Sequence, residues 1–422
     1  MKSILSFLTS FLQNKGANMF GSSVINKIVL FVNAVFVVRW INQEDYGNIA
    51  YAFSLLSFFL PFVGAGSAQS LARFSPQVQG ENAKNALSIY SFSLGLLGSL
   101  AIARFIFTFK SPMTYNLPEA KEILGLFSLR FLGWFLLEQR KNHYRALGKN
   151  QHYAHIDNAY SVVFLLMSFG LTYFFDAQGY IWSLILSPFL AYLYLVLSSM
   201  GDKKFSLSWP KEIGNIISKK EFWTYGILTS FTSCLTQLIL VIDVFCLGYF
   251  LSDSKEIALY KVSSMIPINL LFLPQIFTKT DFTKLSKNHS NKAFLKQYYY
   301  SFFRFFMIIG LLMVLVVFIF GDFMFPLIFG KEYQDAQTFK ILTLATFASM
   351  IFRTPLGNLL SAMGEAKNNA LIAAITVIVA VLLNCLLIPR WGIEGAALAT
   401  FFSFLISGGL SHFYFLHCLK KM

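Results

Sequence analysis

Charged residues are scarce in this chain. Lys, Arg, Asp and Glu make up 13% of its 422 residues, whereas 56% of the residues are hydrophobic and 17% are aromatic. Soluble globular domains contain about 25% charged residues, so this composition cannot provide a water-facing surface for the whole chain. It excludes a soluble enzyme, a disordered scaffold and a collagen-like fibre. The composition indicates an integral membrane protein instead.

Cysteines and catalytic motifs are also few. The four cysteines give no disulfide framework, because Cys234 and Cys246 would lie about 18 Å apart on one helix, too far for a disulfide. The sequence has no HExxH, GxSxG or Walker A motif, the signatures of metalloproteases, hydrolases and P-loop proteins. We therefore expect neither an enzyme nor a metal centre or bound cofactor, and only coupling to H⁺ or Na⁺ stays open.

Long apolar segments dominate the chain. A helix of about 20 apolar residues spans a bilayer, and charged or Gly/Pro/Asn-rich breaks separate twelve such segments. They cover residues 17–40, 48–71, 86–109, 123–146, 152–175, 179–199, 222–251, 257–280, 298–321, 336–361, 368–389 and 393–417. The sequence therefore predicts an all-α integral membrane protein with about twelve transmembrane helices.

The basic residues between these segments predict the orientation. Of 26 Lys and Arg residues assigned to the predicted loops and the span ends beside them, 21 lie on the side of both termini and five lie on the other side. Such a bias places both termini in the cytoplasm, and it explains the net charge of +14 without nucleic-acid binding. Before the first span, residues 4–12 carry apolar side chains on one helical face, which predicts an uncleaved helix at the membrane interface.

The chain divides into two similar halves. These are an N-terminal six-helix lobe (residues 1–200), a basic cytoplasmic linker (201–220) and a C-terminal six-helix lobe (221–422). Gly148 and Gly364 precede the fifth span of each half, Gly179 and Gly395 open the sixth, and both pairs are 216 residues apart. Repeated helical halves are a transporter architecture, so we expect two pseudo-symmetric lobes around a central cavity.

Charged residues inside the predicted spans are the candidate site residues. A charge at the centre of a spanning helix costs ~2.5–3.5 kcal/mol on insertion scales and usually faces a cavity. The best candidates are Lys27, Arg130, Asp157, Asp243, Lys261 and Arg353. Cations outnumber carboxylates in this set, and a cationic cavity with low-dielectric walls attracts anions, with arginine suited to phosphate. Buried structural ion pairs are the alternative interpretation of the same residues.

Four segments together resemble a known family. They are Glu44–Gly47 after the first span, Asp243–Tyr260, Leu327–Ala336, which reads LIFGKEYQDA, and Pro389–Thr400. In their order and spacing they resemble the polysaccharide biosynthesis flippases of the O-antigen (Wzx) type. These flippases belong to the multidrug/oligosaccharidyl-lipid/polysaccharide (MOP) exporter superfamily. The resemblance extends over the whole chain, including the predicted division into two lobes.

The resemblance implies a function. Flippases of this type move an undecaprenyl-diphosphate-linked oligosaccharide to the outer leaflet of the bacterial cytoplasmic (inner) membrane by alternating access. The family supplies no residue signature for these positions, so their charge and their depth in the spans alone assign the roles: we expect the four cations among the six candidates to bind the diphosphate or the glycan, and Asp243 or Asp157 to serve in ion coupling or ion pairing. The expected partners are lipid-linked oligosaccharide, membrane lipids and the polysaccharide polymerase machinery, and a monomer is favoured.

Several alternatives stay open at this point. Lipid II flippases of the same superfamily usually have more spans than this chain. Multidrug exporters share the span number, but a cationic interior suits cationic drugs poorly. A membrane-embedded glycan polymerase or ligase would be equally basic and polytopic, although such enzymes commonly bind glycan with a large outside loop, which this chain lacks. A scaffold without transport activity is a further alternative.

Overall fold

The computed structural model describes residues 16–146, 150–198 and 217–422. These residues form thirteen α-helices and no β-strand. In chain order they are α1 (Gly16–Trp40), α2 (Gln43–Phe59), α3 (Ser67–Phe74), α4 (Glu81–Met113), α5 (Pro118–Ala146), α6 (Asn150–Ser198), α7 (Lys219–Phe250), α8 (Ser254–Leu270), α9 (Phe272–Lys287), α10 (Lys292–Phe329), α11 (Ala336–Ala348), α12 (Thr354–Ala362) and α13 (Ala366–Lys421). The predicted interfacial helix and most of the predicted linker lie outside the described residues.

Seven described segments are long and apolar enough to cross a membrane. They are Gln43–Gln77, Asn82–Met113, His155–Leu197, Lys219–Phe250, Ser254–Thr278, Lys292–Phe329 and Lys367–Lys421. The two longest, His155–Leu197 with 43 residues and Lys367–Lys421 with 55, leave the helical conformation at Asp176 and at Gly392, so each is long enough to supply two spans. The predicted spans 17–40, 123–146 and 336–361 also coincide with helical segments. The chain is thus an all-α, multi-pass membrane protein, and the arrangement is consistent with the predicted count of twelve.

The second predicted span is interrupted by a short 3₁₀ segment. This segment, Leu60–Gly66, connects α2 to α3. Within it Gly64 has φ of +67° and Gly66 has φ of +85°, a left-handed conformation that glycine adopts without steric cost. Gly66 also lies against Gly226 of α7, and a Cβ on either glycine would collide with the backbone of the other. The interruption therefore permits α7 to approach α3 closely.

The breaks in α6 and α13 have the same geometry. Asp176 has φ 47° and ψ −131°, and Gly392, 216 residues later, has φ 52° and ψ −132°. Gly179 and Gly395 follow these breaks, and a Cβ on either glycine would collide with the backbone eight residues earlier. The Trp40 indole Nε1 donates a hydrogen bond of 3.1 Å to Asp176 Oδ1. The predicted offset of 216 residues therefore recurs in the backbone angles.

The chain packs into two compact units. The first unit is Val29–Val241, and the second combines the residues up to Ile28 with Ile242–Met422. The boundaries between the units therefore fall within α1 and within α7. They do not coincide with the predicted lobes, residues 1–200 and 221–422, and the division at the linker stays a prediction.

Each unit has its own apolar core. In the first unit α5 packs against α2, α4 and α6, and Phe127, Phe131 and Phe135 on one face of α5 are fully buried. Their spacing of four residues aligns them along one side of a helix. In the second unit the fully buried Phe306 and Phe415 belong to a core formed by α9, α10, α12 and α13.

An ion pair joins neighbouring helices in each unit. In the first unit Lys110 Nζ of α4 lies 2.8 Å from Glu122 Oε2 of α5, and this hydrogen bond holds the pKa of Glu122 below its usual value. In the second unit Lys340 Nζ of α11 lies 2.8 Å from Asp322 Oδ2 of α10. Both pairs connect the third and fourth predicted spans of their half, with the two signs exchanged.

Candidate substrate and ion site

Asp243 lies at the centre of a buried polar cluster. Its side chain, on α7, is only 6% exposed. Tyr260 OH donates to Asp243 Oδ2 at 2.6 Å and Thr400 Oγ1 donates to the same oxygen at 2.5 Å. Asn384 Nδ2 donates to Asp243 Oδ1 at 2.9 Å. Neutral donors therefore bind both carboxylate oxygens, which lowers the cost of burying the charge.

The break in α13 assembles this cluster. Asn384 precedes Gly392 and Thr400 follows it, so the two segments of α13 approach the Asp243 carboxylate together. Asn384 Oδ1 is buried and has no hydrogen-bond partner among the described residues. A buried carbonyl oxygen beside a carboxylate is an acceptor-rich position, and such oxygens receive a proton-bearing group or a small hard cation.

The charge of Asp243 marks it as a candidate in the sequence, but its three partners carry no such mark. Tyr260, Asn384 and Thr400 are neutral, so a search for charges inside the spans could not select them. A signal was nevertheless present. Asp243 and Tyr260 are the first and last residues of one segment that carried the family resemblance, and Thr400 is the last residue of another.

Lys261 lies beside this cluster. It follows Tyr260 on α8 and is half-buried, and the Asp243 carboxylate attracts its ammonium group electrostatically. Its ammonium group makes no hydrogen bond or close ion pair with a described residue. An ammonium group has three donors and no acceptor, so Lys261 can donate hydrogen bonds to an anion. The negative charge of Asp243 partly offsets the positive charge of this lysine.

Lys27 lies on α1 within the same unit. Its Nζ donates to Asn269 Oδ1 on α8 at 3.0 Å, and Asn269 Nδ2 donates in turn to the Met265 carbonyl oxygen at 2.8 Å. Lys27 is half-buried. The helix α8 therefore carries one candidate cation, Lys261, and holds the side chain of a second one through Asn269.

Arg353 occupies an irregular turn between α11 and α12. It is the last residue of a π-helical segment, Ser349–Arg353, a kind of widened turn that is frequent at functional sites. Arg353 Nη1 donates to Asn369 Oδ1 at 3.0 Å, and Asn369 is held by bonds to the Gly357 carbonyl oxygen and to Ser361 Oγ. A guanidinium has five donors, so this half-buried arginine keeps capacity for an anion.

Arg130 has a different environment, in the first unit. It is 3% exposed, its Nη1 donates to the Leu184 carbonyl oxygen, and its Nη2 donates to Tyr160 OH at 2.8 Å. Pro188 in α6 has no backbone N–H, which would otherwise bond the Leu184 carbonyl four residues earlier. Arg130 therefore replaces the hydrogen bond that Pro188 removes, and its contacts favour a structural role.

Asp157 also lies in the first unit. Its Oδ1 is 2.9 Å from Lys141 Nζ, and its side chain is 44% exposed. The same lysine lies 3.2 Å from Glu138 Oε1. Of the two roles predicted for Asp157, ion coupling and ion pairing, these contacts favour ion pairing.

The structure thus separates the six predicted residues into two groups. Lys27, Asp243, Lys261 and Arg353 lie in the second unit, and the other two lie in the first. Lys261 and Asp243 attract each other through their charges without forming a close ion pair. Among the residues that the structure describes, no group of His, Cys, Asp and Glu side chains is arranged to hold a metal ion.

Comparison with known proteins gives a family and a fold. The model of a family described as polysaccharide biosynthesis protein matches residues 36–338. The probable low-salt glycan biosynthesis flippase Agl15 of Haloferax volcanii is 26% identical over 249 residues, which are 58% of this chain and 49% of that protein. The match therefore spans about half the length of this curated relative.

Solved structures share the fold at low sequence identity. An inward-facing multidrug resistance MATE family transporter of the MOP superfamily has a TM-score of 0.76 and 13% identity, over 94% of this chain and 96% of its own. The lipid II flippase MurJ, in an inward closed conformation, has a TM-score of 0.70 and 16% identity, over 93% of this chain and 86% of its own. The chain therefore belongs to the polysaccharide biosynthesis protein family and has the fold of the MOP superfamily.

Proposed function

We propose that this protein is a flippase for a lipid-linked oligosaccharide of polysaccharide synthesis. In this proposal the carrier is undecaprenyl diphosphate, and the cargo moves to the outer leaflet of a bacterial cytoplasmic membrane. The observation that carries the proposal is that Lys27, Lys261, Arg353 and Asp243 all belong to one unit, with Asp243 and Lys261 on helices long and apolar enough to cross a membrane. The family match and the flippases among the similar proteins support the choice of cargo.

Three half-buried cations suit a diphosphate headgroup. A hydrogen bond to a charged group contributes ~1.5–3 kcal/mol when it replaces contacts with water. Arg353 keeps guanidinium donors beyond its bond to Asn369, and Lys261 keeps its ammonium donors. The isoprenoid tail needs no polar path, because it stays in the apolar part of the bilayer while the headgroup crosses.

Asp243 provides a means of coupling an ion to the cargo. When the carboxylate is ionised, it attracts Lys261 and thereby competes with an anionic cargo for this lysine. Uptake of H⁺ or Na⁺ at Asp243 removes that competition, so ion and cargo strengthen each other's binding. Alternating access of the two predicted lobes then exposes the site first to one side of the membrane and then to the other.

Reconstitution in liposomes tests the proposal. A fluorescent polyprenyl-diphosphate oligosaccharide is followed by its accessibility to an impermeant quencher, with wild type and with Lys27→Ala, Lys261→Ala and Arg353→Ala. Loss of one charged hydrogen bond is expected to slow movement about tenfold or more. Matched controls are Lys255→Ala on α8 and Arg304→Ala on α10, which remove exposed charges and should leave the rate unchanged.

The possible outcomes test the transport activity and the site residues separately. Equal rates in wild type and all site variants would agree with flippase activity but contradict the assignment of the cationic site. Absence of movement of any lipid-linked glycan, with and without H⁺ or Na⁺ gradients, would contradict the flippase itself.

A further inference from the structure

A cluster of exposed lysines lies at one end of the second unit. The end of α9, the beginning of α10 and the end of α13 share one apolar core there, to which they contribute the buried Leu285, Leu295 and Leu419. Tyr299 of α10 also lies against Phe415 of α13, with ring centroids 5.3 Å apart. The exposed lysines of these three helix ends form the basic cluster, which consists of Lys287, Lys292, Lys296, Lys420 and Lys421.

Carboxylates are scarce around the basic cluster. The sequence has no Asp or Glu in residues 282–300 or in residues 395–422. Asp281 is only 1% exposed, so its charge lies inside the unit, and Glu365 attracts Lys421. The other four lysines of the cluster make no ion pair with any residue that the structure describes. Their positive charge is therefore available to an anion outside the chain.

Two basic residues of the first unit show the contrast. Lys141 Nζ lies 2.9 Å from Asp157 Oδ1. The Arg73 guanidinium carbon lies 4.2 Å from the centre of the Tyr225 ring, a cation–π contact. Both charges are thus engaged within the protein, so an exposed and unpaired cluster is not simply the result of a basic sequence.

Aromatic side chains share the exposed faces of these lysines. On α10, Lys292, Lys296 and Tyr300 follow each other at four-residue spacing, which aligns them on one side of the helix, and Tyr300 is 44% exposed. On α13, Phe413 is 75% exposed and precedes the exposed Lys420 by two helical turns. Both helices belong to segments long and apolar enough to cross a membrane, and exposed aromatic rings are typical of the level where such segments leave the bilayer. The order from apolar to aromatic to cationic matches the acyl chains, interface and phosphate of a phospholipid.

We propose that the basic cluster binds the headgroups of anionic phospholipids at the membrane surface. Lysines beside a spanning helix are attracted to anionic lipids, and each one adds to the attraction. The adjoining Tyr300 and Phe413 can contact the same lipid, whereas a soluble acidic protein would reach the lysines alone. Anionic lipid would therefore hold this end of the second unit at the bilayer surface, whatever cargo the protein moves.

Binding of phosphatidylglycerol to the purified full chain tests the cluster. Native mass spectrometry gives the affinities for phosphatidylglycerol and for phosphatidylcholine, whose headgroup has no net charge, and wild type is expected to prefer the former. Lys292→Gln with Lys296→Gln should weaken phosphatidylglycerol binding about tenfold or more, since each lysine near an anionic surface contributes about fivefold. Binding of phosphatidylcholine should not change. Lys292→Arg with Lys296→Arg keeps both charges and should bind phosphatidylglycerol as wild type does.

A matched control separates the cluster from the total charge of the protein. Lys219→Gln with Lys220→Gln removes the same charge at the beginning of α7, where both lysines are exposed and Glu221 follows them. This control should leave the affinity for phosphatidylglycerol unchanged. If the α10 variant does not fold, Lys287→Gln with Lys420→Gln removes two other charges of the cluster and should weaken binding to a similar extent.

Several results would overturn the proposal. They are equal affinity of wild type for the two lipids, equal affinity of wild type and the cluster variants for phosphatidylglycerol, and an equal loss in the α7 control. Displacement of phosphatidylglycerol by a soluble polyglutamate peptide would identify an acidic protein as the occupant and would also overturn it. All of these measurements are made without cargo, so their outcome does not depend on the proposed transport activity.

Discussion

Two arginines in predicted spans differ in how many of their guanidinium donors are hydrogen-bonded to the protein. Arg130 is almost fully buried and bonds the Leu184 carbonyl oxygen and Tyr160 OH. Arg353 is half-buried and bonds a single described side chain, that of Asn369. Both arginines lie in the fourth predicted span of their half, so the sequence does not distinguish them. Only the neighbouring groups in the structure do. Lys261 resembles Arg353 in this respect, and these two are the stronger candidates for binding an anion.

Asp243→Asn should uncouple ion and cargo at the scale of one side chain. The amide mimics a neutralised carboxylate, and the Tyr260 and Thr400 hydroxyls can rotate to accept its N–H groups, so the fold should persist. Lys261 is then permanently available, and affinity for the diphosphate should rise about tenfold, within the usual range of coupling free energies. Binding measured at several pH values and Na⁺ concentrations should become independent of both ions. A response equal to that of wild type would contradict the assignment.

Glu365 should make stability depend on acid pH. It lies before α13, outside the spans, and hydrogen bonds from Asn368 and Tyr414 hold its pKa below the usual 4.5. A carboxyl whose pKa is lower in the folded state stabilises the fold above its unfolded pKa, and this contribution is lost as pH falls through the folded pKa. Thermal unfolding in detergent should therefore show a smaller decrease below pH 4.5 for Glu365→Gln than for wild type. An identical decrease would show that this carboxyl makes no contribution.

At the scale of elements, the proline inside α6 explains a buried charge. Arg130→Leu leaves the Leu184 carbonyl unpaired and should destabilise the protein by ~1–3 kcal/mol. Pro188→Ala restores a backbone N–H four residues after that carbonyl, so Arg130→Leu should cost less in the Pro188→Ala background. A double-mutant cycle of unfolding in detergent measures this coupling. Additive effects would mean that Arg130 and Pro188 act independently.

The break in α13 predicts opposite effects for one type of substitution. Gly392→Ala should destabilise by ~1–3 kcal/mol, because φ at this position is left-handed and a side chain there is strained. Gly409→Ala, in the following helical segment, should stabilise by up to ~1 kcal/mol, because alanine favours helix over glycine. No neighbouring atom lies within 4 Å of a Cβ at either site, so the backbone alone decides the sign. Unfolding midpoints that shift in the same direction would contradict this.

The helices were more predictable than the contacts between them. Apolar length located the spans, and the gaps left between 152–175 and 179–199 and between 368–389 and 393–417 contain the two observed breaks. The partners of a buried charge depend instead on which helices pack together. Nothing near Arg130 in the sequence indicates a bond to Leu184, and Asn384 is 141 residues from the Asp243 that it binds. The packing of the helices determines these pairs, and local sequence patterns do not show which helices pack together.

At the scale of the whole molecule, the excess of basic residues on one set of predicted loops determines the expected orientation. In a variant without the four native cysteines, Ser252→Cys, before α8, should react with an impermeant thiol reagent added to intact cells. Ser286→Cys, near the end of α9, should react only after permeabilisation. Both serines are exposed, so access from one side is the only difference expected. The reverse pattern would invert the predicted orientation.

The matching breaks at Asp176 and Gly392 also bear on how the two halves of the chain arose. A rare pair of backbone angles recurs at the offset that separates the repeated glycines, which is the outcome expected from duplication of an ancestral gene segment. One half has glycine at the break, and the other has an aspartate that receives the Trp40 indole N–H. The two halves therefore share the bend although different residues make it. Descent from one segment would account for the common shape of the main chain, and the side chains at the break are where the two copies differ.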